Sequence, residues 1–257
     1  MAGVLVGLIV KTYKRLRFRI FGWCVQYDCN TQPKNYEKIF ILIATIFLLA
    51  LLSSCSNAQH TSNNIYSKNR EWTFNAKFID DEGASTDSCL IKMKVSKPHF
   101  ISFIANQTPI IYIYEINSKK YEEKAGIEED ESGVFIHPPR LGDFSFLQVP
   151  PMPGISYPLN SIREKEIELN TLKSEFKPAS GKKIKQQLKQ NNEKDTLVFK
   201  DQGIECVKLT GQNINYTEEI GTYKAEYWFS QVYGFMKMRY LKPDNSVLEI
   251  VLIETNF

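Results

Sequence analysis

The chain has 257 residues, 43% of them hydrophobic and 24% charged, which fits one globular domain with a real core plus an appendage. The formal charge of +3 misleads about partners: residues 1–54 carry seven basic and two acidic residues, and removing them from totals of 32 and 29 leaves 25 and 27 for residues 55–257. That slightly acidic body excludes a basic groove for nucleic acid, while 13 Tyr and 16 Phe lean toward strands.

In chain order, an apolar "MAGVLVGLIV" comes first, then a basic "KTYKRLRFR", then Cys24 and Cys29. Two readings stand for residues 1–33. They are an extended cytoplasmic region, which the positive-inside rule allows, or they precede a translation start nearer Lys34 at a non-methionine codon. Ile39 to Leu52 is a run of fourteen residues broken only by Thr45, with Lys34 and Lys38 before it. A bilayer-spanning helix needs about twenty residues, so the run suits the apolar region of a signal peptide. It ends in Leu52-Ser53-Ser54-Cys55. Small serines pass through the narrow site of a signal peptidase, and only a thiol becomes a thioether.

This arrangement resembles the lipobox of bacterial lipoproteins. The resemblance implies cleavage before Cys55, which becomes the first mature residue and carries covalent diacylglycerol and an N-acyl chain such as palmitate, with no other cofactor. Two or more acyl chains anchor a protein stably. Ser56, where the family uses aspartate for inner-membrane retention, implies the outer membrane. The lack of an acidic tether in "SNAQH" implies the leaflet facing the periplasm. The organisation expected is a leader over 1–54, a lipidated N-terminus and flexible tether over 55–70, and a single β-rich domain over 71–257. Cys24 and Cys29 then leave with the leader.

The body opens with strand signals. Trp72, Phe74, Ala76 and Phe78 alternate with polar residues, as do Cys89, Ile91, Met93 and Val95 after a "DDEGAS" turn. "FISFIA" and "PIIYIYEI" follow as strands. The stretch 117–132 reads as a charged hairpin tip, since Glu128, Glu129, Asp130 and Glu131 lack the spaced ligands of a calcium loop. Six of the eleven prolines lie between His137 and Pro158, a segment that also carries Phe144, Phe146, Leu147, Met152, Ile155 and Tyr157. Proline removes ladder donors, so this is no central strand. So apolar a loop either covers the protein's own core or wraps a ligand. Within 162–190 the spacing of Ile162, Leu169, Leu172 and Phe176 is helical, yet Ile167, Leu169 and Thr171 alternate. Ile184 and Leu188 suit a short basic helix.

The C-terminal third reads as strands "TLVFK" and "GIECVKLTG" and then a three-stranded meander, with Tyr223, Ala225, Tyr227 and Phe229 on one face and Lys224, Glu226 and Trp228 on the other. Tyr-Trp at a strand end, a turn finishing Gly-Phe and a Pro-Asp-Asn-Ser turn are similar to the C-terminal hairpins of Gram-negative periplasmic lipoproteins, in the style of the half-barrel lipoprotein carrier and receptor. That resemblance implies an antiparallel sheet curved around an apolar cavity and no catalysis. The fold expected is therefore mainly β, an antiparallel, strongly curved sheet or half-barrel with one or two short helices.

No phosphate-binding loop, nucleophile elbow or metal motif occurs. His60, His99 and His137 are isolated, and His137 with Asp143 and a serine is the one triad that spacing leaves open. Cys89 and Cys206 either form a disulfide in the oxidising periplasm or are buried hydrophobes. The function expected is a non-catalytic binding module for an apolar ligand or acyl chain, with Phe144, Phe146, Met152, Tyr157 and Trp228 as its contacts. The alternative is an envelope scaffold that docks another protein, and third a hydrolase with an unrecognised site. Mass spectrometry of the mature protein should find an N-terminus at Cys55 carrying acyl mass, and Cys55→Ala should leave the precursor uncleaved. An unmodified Cys55 would remove the anchor.

Overall fold

The computed structural model describes residues 64–97, 107–172 and 176–257, together with the backbone of 18–20 and 23–25. The chain forms two compact units, Met1–His60 and Thr61–Phe257. In the first, β1 (Phe18–Ile20) pairs antiparallel with β2 (Trp23–Val25). The lipobox with Cys55, the start of the tether with His60, and the segment holding His99 and "FISFIA" lie outside the described residues.

The second unit is one antiparallel sheet of twelve strands. In chain order they are β3 (Glu71–Ile79), β4 (Ser85–Val95), β5 (Thr108–Ile116), β6 (Lys119–Asp130), β7 (Gly133–Ile136), β8 (Gly154–Ser156), β9 (Ile162–Asn170), β10 (Lys183–Phe199), β11 (Gln202–Asn213), β12 (Lys224–Ser230), β13 (Gly234–Leu241) and β14 (Val247–Thr255). Neighbours run β8-β7-β6-β5-β4-β3-β14-β13-β12-β11-β10-β9. Sequential hairpins account for every pairing but one, β3 with β14, which joins the two halves of the domain in the register Phe74↔Leu252 and Ala76↔Ile250. One α-helix, Thr217–Ile220, and 3-10 turns at Gly142–Gln148 and Lys177–Ala179 complete the described elements.

Period-two alternation sets the inner face as expected. Trp72, Phe74 and Ala76 on β3, Ile91 and Met93 on β4, Tyr112 and Tyr114 on β5, and Ala225, Tyr227 and Phe229 on β12 are all buried. Two expectations are corrected. The supposed charged tip at 117–132 is mostly strand β6, paired with β5 through Ile127 and with β7 beyond it, and the turns are only Asn117–Ser118, both at positive φ, and Glu131–Ser132. Its inward positions include Glu123, 7% exposed, so apolar alternation was broken there. The supposed basic helix around Ile184 and Leu188 is instead the start of β10, a strand of 17 residues. Residues four apart share a face in a helix and in a strand alike, and here the positions between and beyond them are filled by buried Gln186 and Gln190.

Those glutamines explain how the sheet closes. Residues 144–155 of the proline segment are buried throughout, filling the hollow of the curved sheet. Proline has no N–H, and a buried carbonyl must still find a donor. Gln186 Nε2 donates to the carbonyls of Val149 (3.2 Å) and Pro150 (2.7 Å), while its Oε1 accepts from Met152 N–H (3.3 Å). The Tyr227 hydroxyl donates to the Pro151 carbonyl, and Ile136 N–H to that of Pro153 (2.9 Å). Where β8 meets β10, Gln190 stands in for a backbone ladder. It accepts from Ser156 N–H (3.0 Å) and donates to the carbonyls of Ser156 (3.1 Å) and Leu159 (3.0 Å). The approach is close: a Cβ on Gly211 of β11 would sit 2.7 Å from Pro151 Cγ and 2.6 Å from the Gln187 carbonyl oxygen.

Replacing Gln186 with Leu keeps the volume but strands two buried carbonyls and an amide. Urea unfolding should show a loss of about 2–4 kcal/mol, whereas Lys185→Ala, exposed on the same strand, should stay within about 0.5 kcal/mol.

Candidate functional site

The apolar pocket expected inside the curve is occupied by the chain itself. Phe144 packs edge-on against Tyr114 and tilted against Phe78, with centroids at 5.1 and 5.6 Å, and Phe146 stacks on Tyr223 at 6.0 Å. Met152 is buried beside Gln186. Tyr157 is half-buried where the segment leaves the interior. The void left among Phe74, Tyr112, Ile136, Phe235, Met238 and Ile250 is about 10 Å³, room for one water. Trp228 is also buried, 6% exposed, but on the side of β12 that pairs with Lys208 and Lys237, opposite to its neighbours Tyr227 and Phe229. Its Nε1 donates to Asp195 on the outer face (2.8 Å), and Lys208 and Lys237 lie 5.3 and 5.1 Å from its ring centre. The five residues expected to share an apolar ligand therefore line no common cavity.

Other sequence candidates also separate. Cys89 and Cys206 are free thiols on β4 and β11, with four strands between them in sheet order, so the disulfide is not formed. Cys206 Sγ lies 3.6 Å from Met236 Sδ. Asp143 accepts a hydrogen bond from Asn117 Nδ2 (3.1 Å) rather than from His137. His137 Nδ1 is buried without a hydrogen-bond partner, and burial, then the Arg140 cation, holds the imidazole below its ordinary pKa. The acids at 128–131 are spread among separate tasks. Glu128 accepts from Gln107, Glu129 from the amides of Ile65 and Tyr66, and Asp130 from Ser132. Among the described residues no group of three His, Cys, Asp or Glu could hold a metal ion.

The larger opening lies on the outer face, a groove of about 400 Å³ where β10 and β12 begin and β11 and β13 end. Outward positions of four neighbouring strands build it: Gln187 and Lys189, Thr210 and Gln212, Lys224 and Glu226, Arg239 and Leu241. The registers Gln187↔Gln212, Gln212↔Lys224 and Lys224↔Leu241 set these side chains side by side. Glu226 receives Lys208 Nζ and Arg239 Nη1, each at 3.1 Å. Burial pushes its carboxyl up, but hydrogen bonds and charge from Lys208 and Arg239 outweigh this and hold it below the usual carboxylate range. Lys189 Nζ pairs with Glu164 at 3.3 Å, on the rim. Lys224 is exposed and has no acid partner among the described residues. The lining thus presents three cations and two amides against one engaged carboxylate. Such a surface suits an extended polar or anionic group. In the sequence Gln187 and Lys189 read as part of a short basic helix and Lys224, Glu226 and Arg239 as the polar face of a meander, because nothing in alternation marks which polar positions border a concavity.

A plugged, nearly closed antiparallel barrel with a polar outer groove is the class these elements define. No family model and no curated protein matches the chain. Among solved structures, the chain is similar to a protein from Bacteroides fragilis NCTC 9343 described as exported and having a YmcC-like fold. That match has 10% identity and a TM-score of 0.42, over 74% of this chain and 97% of that one. It is also similar to a protein from Parabacteroides distasonis ATCC 8503 described as a lipoprotein, with 13% identity and a TM-score of 0.43 over 74% and 96%. The hypothetical lipoprotein YmcC from Escherichia coli (K12) matches with 9% identity and a TM-score of 0.32 over 80% and 94%.

The thiols give a direct check on the packing. Burial, then the nearby Asp87, pushes the Cys89 thiol up to about 11, and burial, then Asp195, pushes Cys206 up to about 12. The folded chain holds these protons more tightly than the unfolded chain. Their contribution to stability is therefore complete below pH 9 and is lost as pH rises through the folded values. A thiol reagent at pH about 8, below the unperturbed thiol pKa, should find neither cysteine in folded protein and both after unfolding without reductant.

Proposed function

We propose that the protein is a lipid-anchored, non-catalytic envelope module, held through Cys55 on the periplasm-facing leaflet of the outer membrane, that docks a partner in its outer groove. One observation carries this reading: the hollow of the sheet is filled by residues 144–155, while the polar groove over β10–β13 is an open concavity among the described residues. An acyl ligand in the interior would have to displace the proline segment and break its bonds to Gln186, Tyr227 and, at Ser156, Gln190. The groove demands no such rearrangement, and its cations and amides match a polar, anionic segment of another envelope component. The lipobox at Leu52–Cys55 supports the address, and the bonding of Asp143 to Asn117 rather than to His137 supports a binding rather than a hydrolytic role.

A photo-crosslinking residue placed at Leu241 or Gln212 should yield an adduct in cells that the same residue at Lys119, exposed at the β5–β6 turn, does not. Lys224→Glu should lower that yield on the order of tenfold, equivalent to about 1.4 kcal/mol. Monomer alone at every position would remove the docking reading. Stoichiometric acyl chains released from purified protein beyond those on Cys55 would restore the interior ligand.

A further inference from the structure

The end of the barrel where the tether arrives differs in character from the rest of the surface. Glu129 accepts the backbone N–H groups of Ile65 (2.7 Å) and Tyr66 (3.0 Å), and Arg70 Nη1 donates to the Ile65 carbonyl (2.8 Å). The Tyr66 ring enters the barrel mouth, where its hydroxyl accepts Phe235 N–H (3.1 Å). Only glycine fits opposite it: Gly234 is at φ +79° and a Cβ there would lie 2.1 Å from the Tyr66 hydroxyl. This carboxylate latch fixes the place at which the tether joins the barrel.

Around the latch runs a chain of rings drawn from four separate segments. Tyr66 meets Trp72 at 4.9 Å, Trp72 meets Phe257 at 5.2 Å, Phe257 meets Tyr233 at 6.2 Å, and Tyr233 meets Phe199 at 4.9 Å. Arg70 sits 4.3 Å over the Phe257 ring, and Lys200 Nζ reaches the Thr255 carbonyl at 3.4 Å. The tip of the β10–β11 hairpin thus folds over the mouth with Phe199 inward, leaving Val198 79% exposed; Val232 in the β12–β13 turn is 60% exposed. Aromatic residues with cations over them, next to exposed valines, form the composition that settles at a membrane–water interface.

We propose that this end of the barrel is seated on the bilayer that holds the Cys55 lipid. The inference rests on the lipid-anchor reading. Ten residue steps separate Cys55 from Ile65, and no chain of that length spans more than about 35 Å. The latched end is the part of the domain nearest the anchor along the chain. Charge does not drive the contact: on the segments that carry the rings, Lys68, Arg70 and Lys200 are balanced by Glu71, Asp201 and Glu254. The contact is apolar, made by Val198, Val232 and the edges of Tyr233 and Phe257. The groove opens at the opposite end, about 24 Å further along β13 by strand rise from Gly234 to Leu241, and so faces away from the membrane.

The test uses the full lipidated protein in vesicles of phosphatidylethanolamine and phosphatidylglycerol that contain a quencher-bearing lipid. A fluorophore is placed singly at Val198→Cys, Val232→Cys or Lys224→Cys, all exposed positions at which the fold tolerates change. Emission should be lost at both valine sites and retained at Lys224, at low and high salt alike. Equal quenching at all three sites, or valine-site quenching abolished by salt, overturns the seated end while leaving the anchor intact. Failure of the protein to float with the vesicles overturns the anchor reading and this one with it.

Discussion

Everything in this fold depends on finding donors for the carbonyls of a buried segment rich in proline. Residues 149–153 read Val-Pro-Pro-Met-Pro and lie inside the curved sheet, where water cannot serve them. Such a segment has acceptors in excess of donors. Gln186 on β10, the hydroxyl of Tyr227 and the amide of Ile136 correct the imbalance. An amide side chain suits the task because it gives and takes at once: Gln186 receives Met152 N–H through the same group that serves Val149 and Pro150. The arrangement also solves the closure of the sheet. β8 has only three residues, too short for a ladder to β10, and the Gln190 amide bridges the two ends instead.

Filling the hollow from within moves the available chemistry outward. A curved sheet around an empty centre invites an apolar guest; this one has supplied its own. The outer face is where strands of different length leave a concavity, and there the side chains are polar by the same alternation that makes the inside apolar. The lattice of Lys208, Glu226 and Arg239, with Lys237 paired to Glu249 at 2.6 Å, keeps these residues in defined positions without drawing in Lys224. A surface ordered in this way loses little side-chain entropy when something binds to it.

The parts of the fold legible in the sequence are those where apolar residues occupy the inward positions. β3, β4 and the β12–β14 meander meet that condition, and their alternation is read without ambiguity. β6 and β10 fail it, because Glu123, Gln186 and Gln190 are inward residues with a polar identity, each buried to satisfy a carbonyl or amide that belongs to a distant segment. Glu123 takes the amide of Arg140 at 2.7 Å and the hydroxyl of Tyr114 at 3.2 Å, partners that no local pattern reveals. The proline segment was legible as apolar and unladdered; whether it wraps a guest or fills a core depends on volume, which one-dimensional reading lacks. Trp228 is the reverse case: its alternation with Lys224 and Glu226 sets it on the outer face, and there its ring is buried beside Asp195, Lys208 and Lys237. The outer groove stayed hidden because concavity arises from strand ends meeting in space.

The pairing of β3 with β14 has a consequence in time. The first strand of the domain finds its second neighbour only in the last, and Asn256 caps the seam by accepting the Glu71 amide across 185 residues of chain. Contacts of such long sequence separation form late, since the loop between them must close first. A chain that emerges N-terminus first, whether from a ribosome or from a translocation channel, therefore holds β3 with one unpaired edge until β14 arrives. The domain is built to stay open while it is being delivered and to close in one late step.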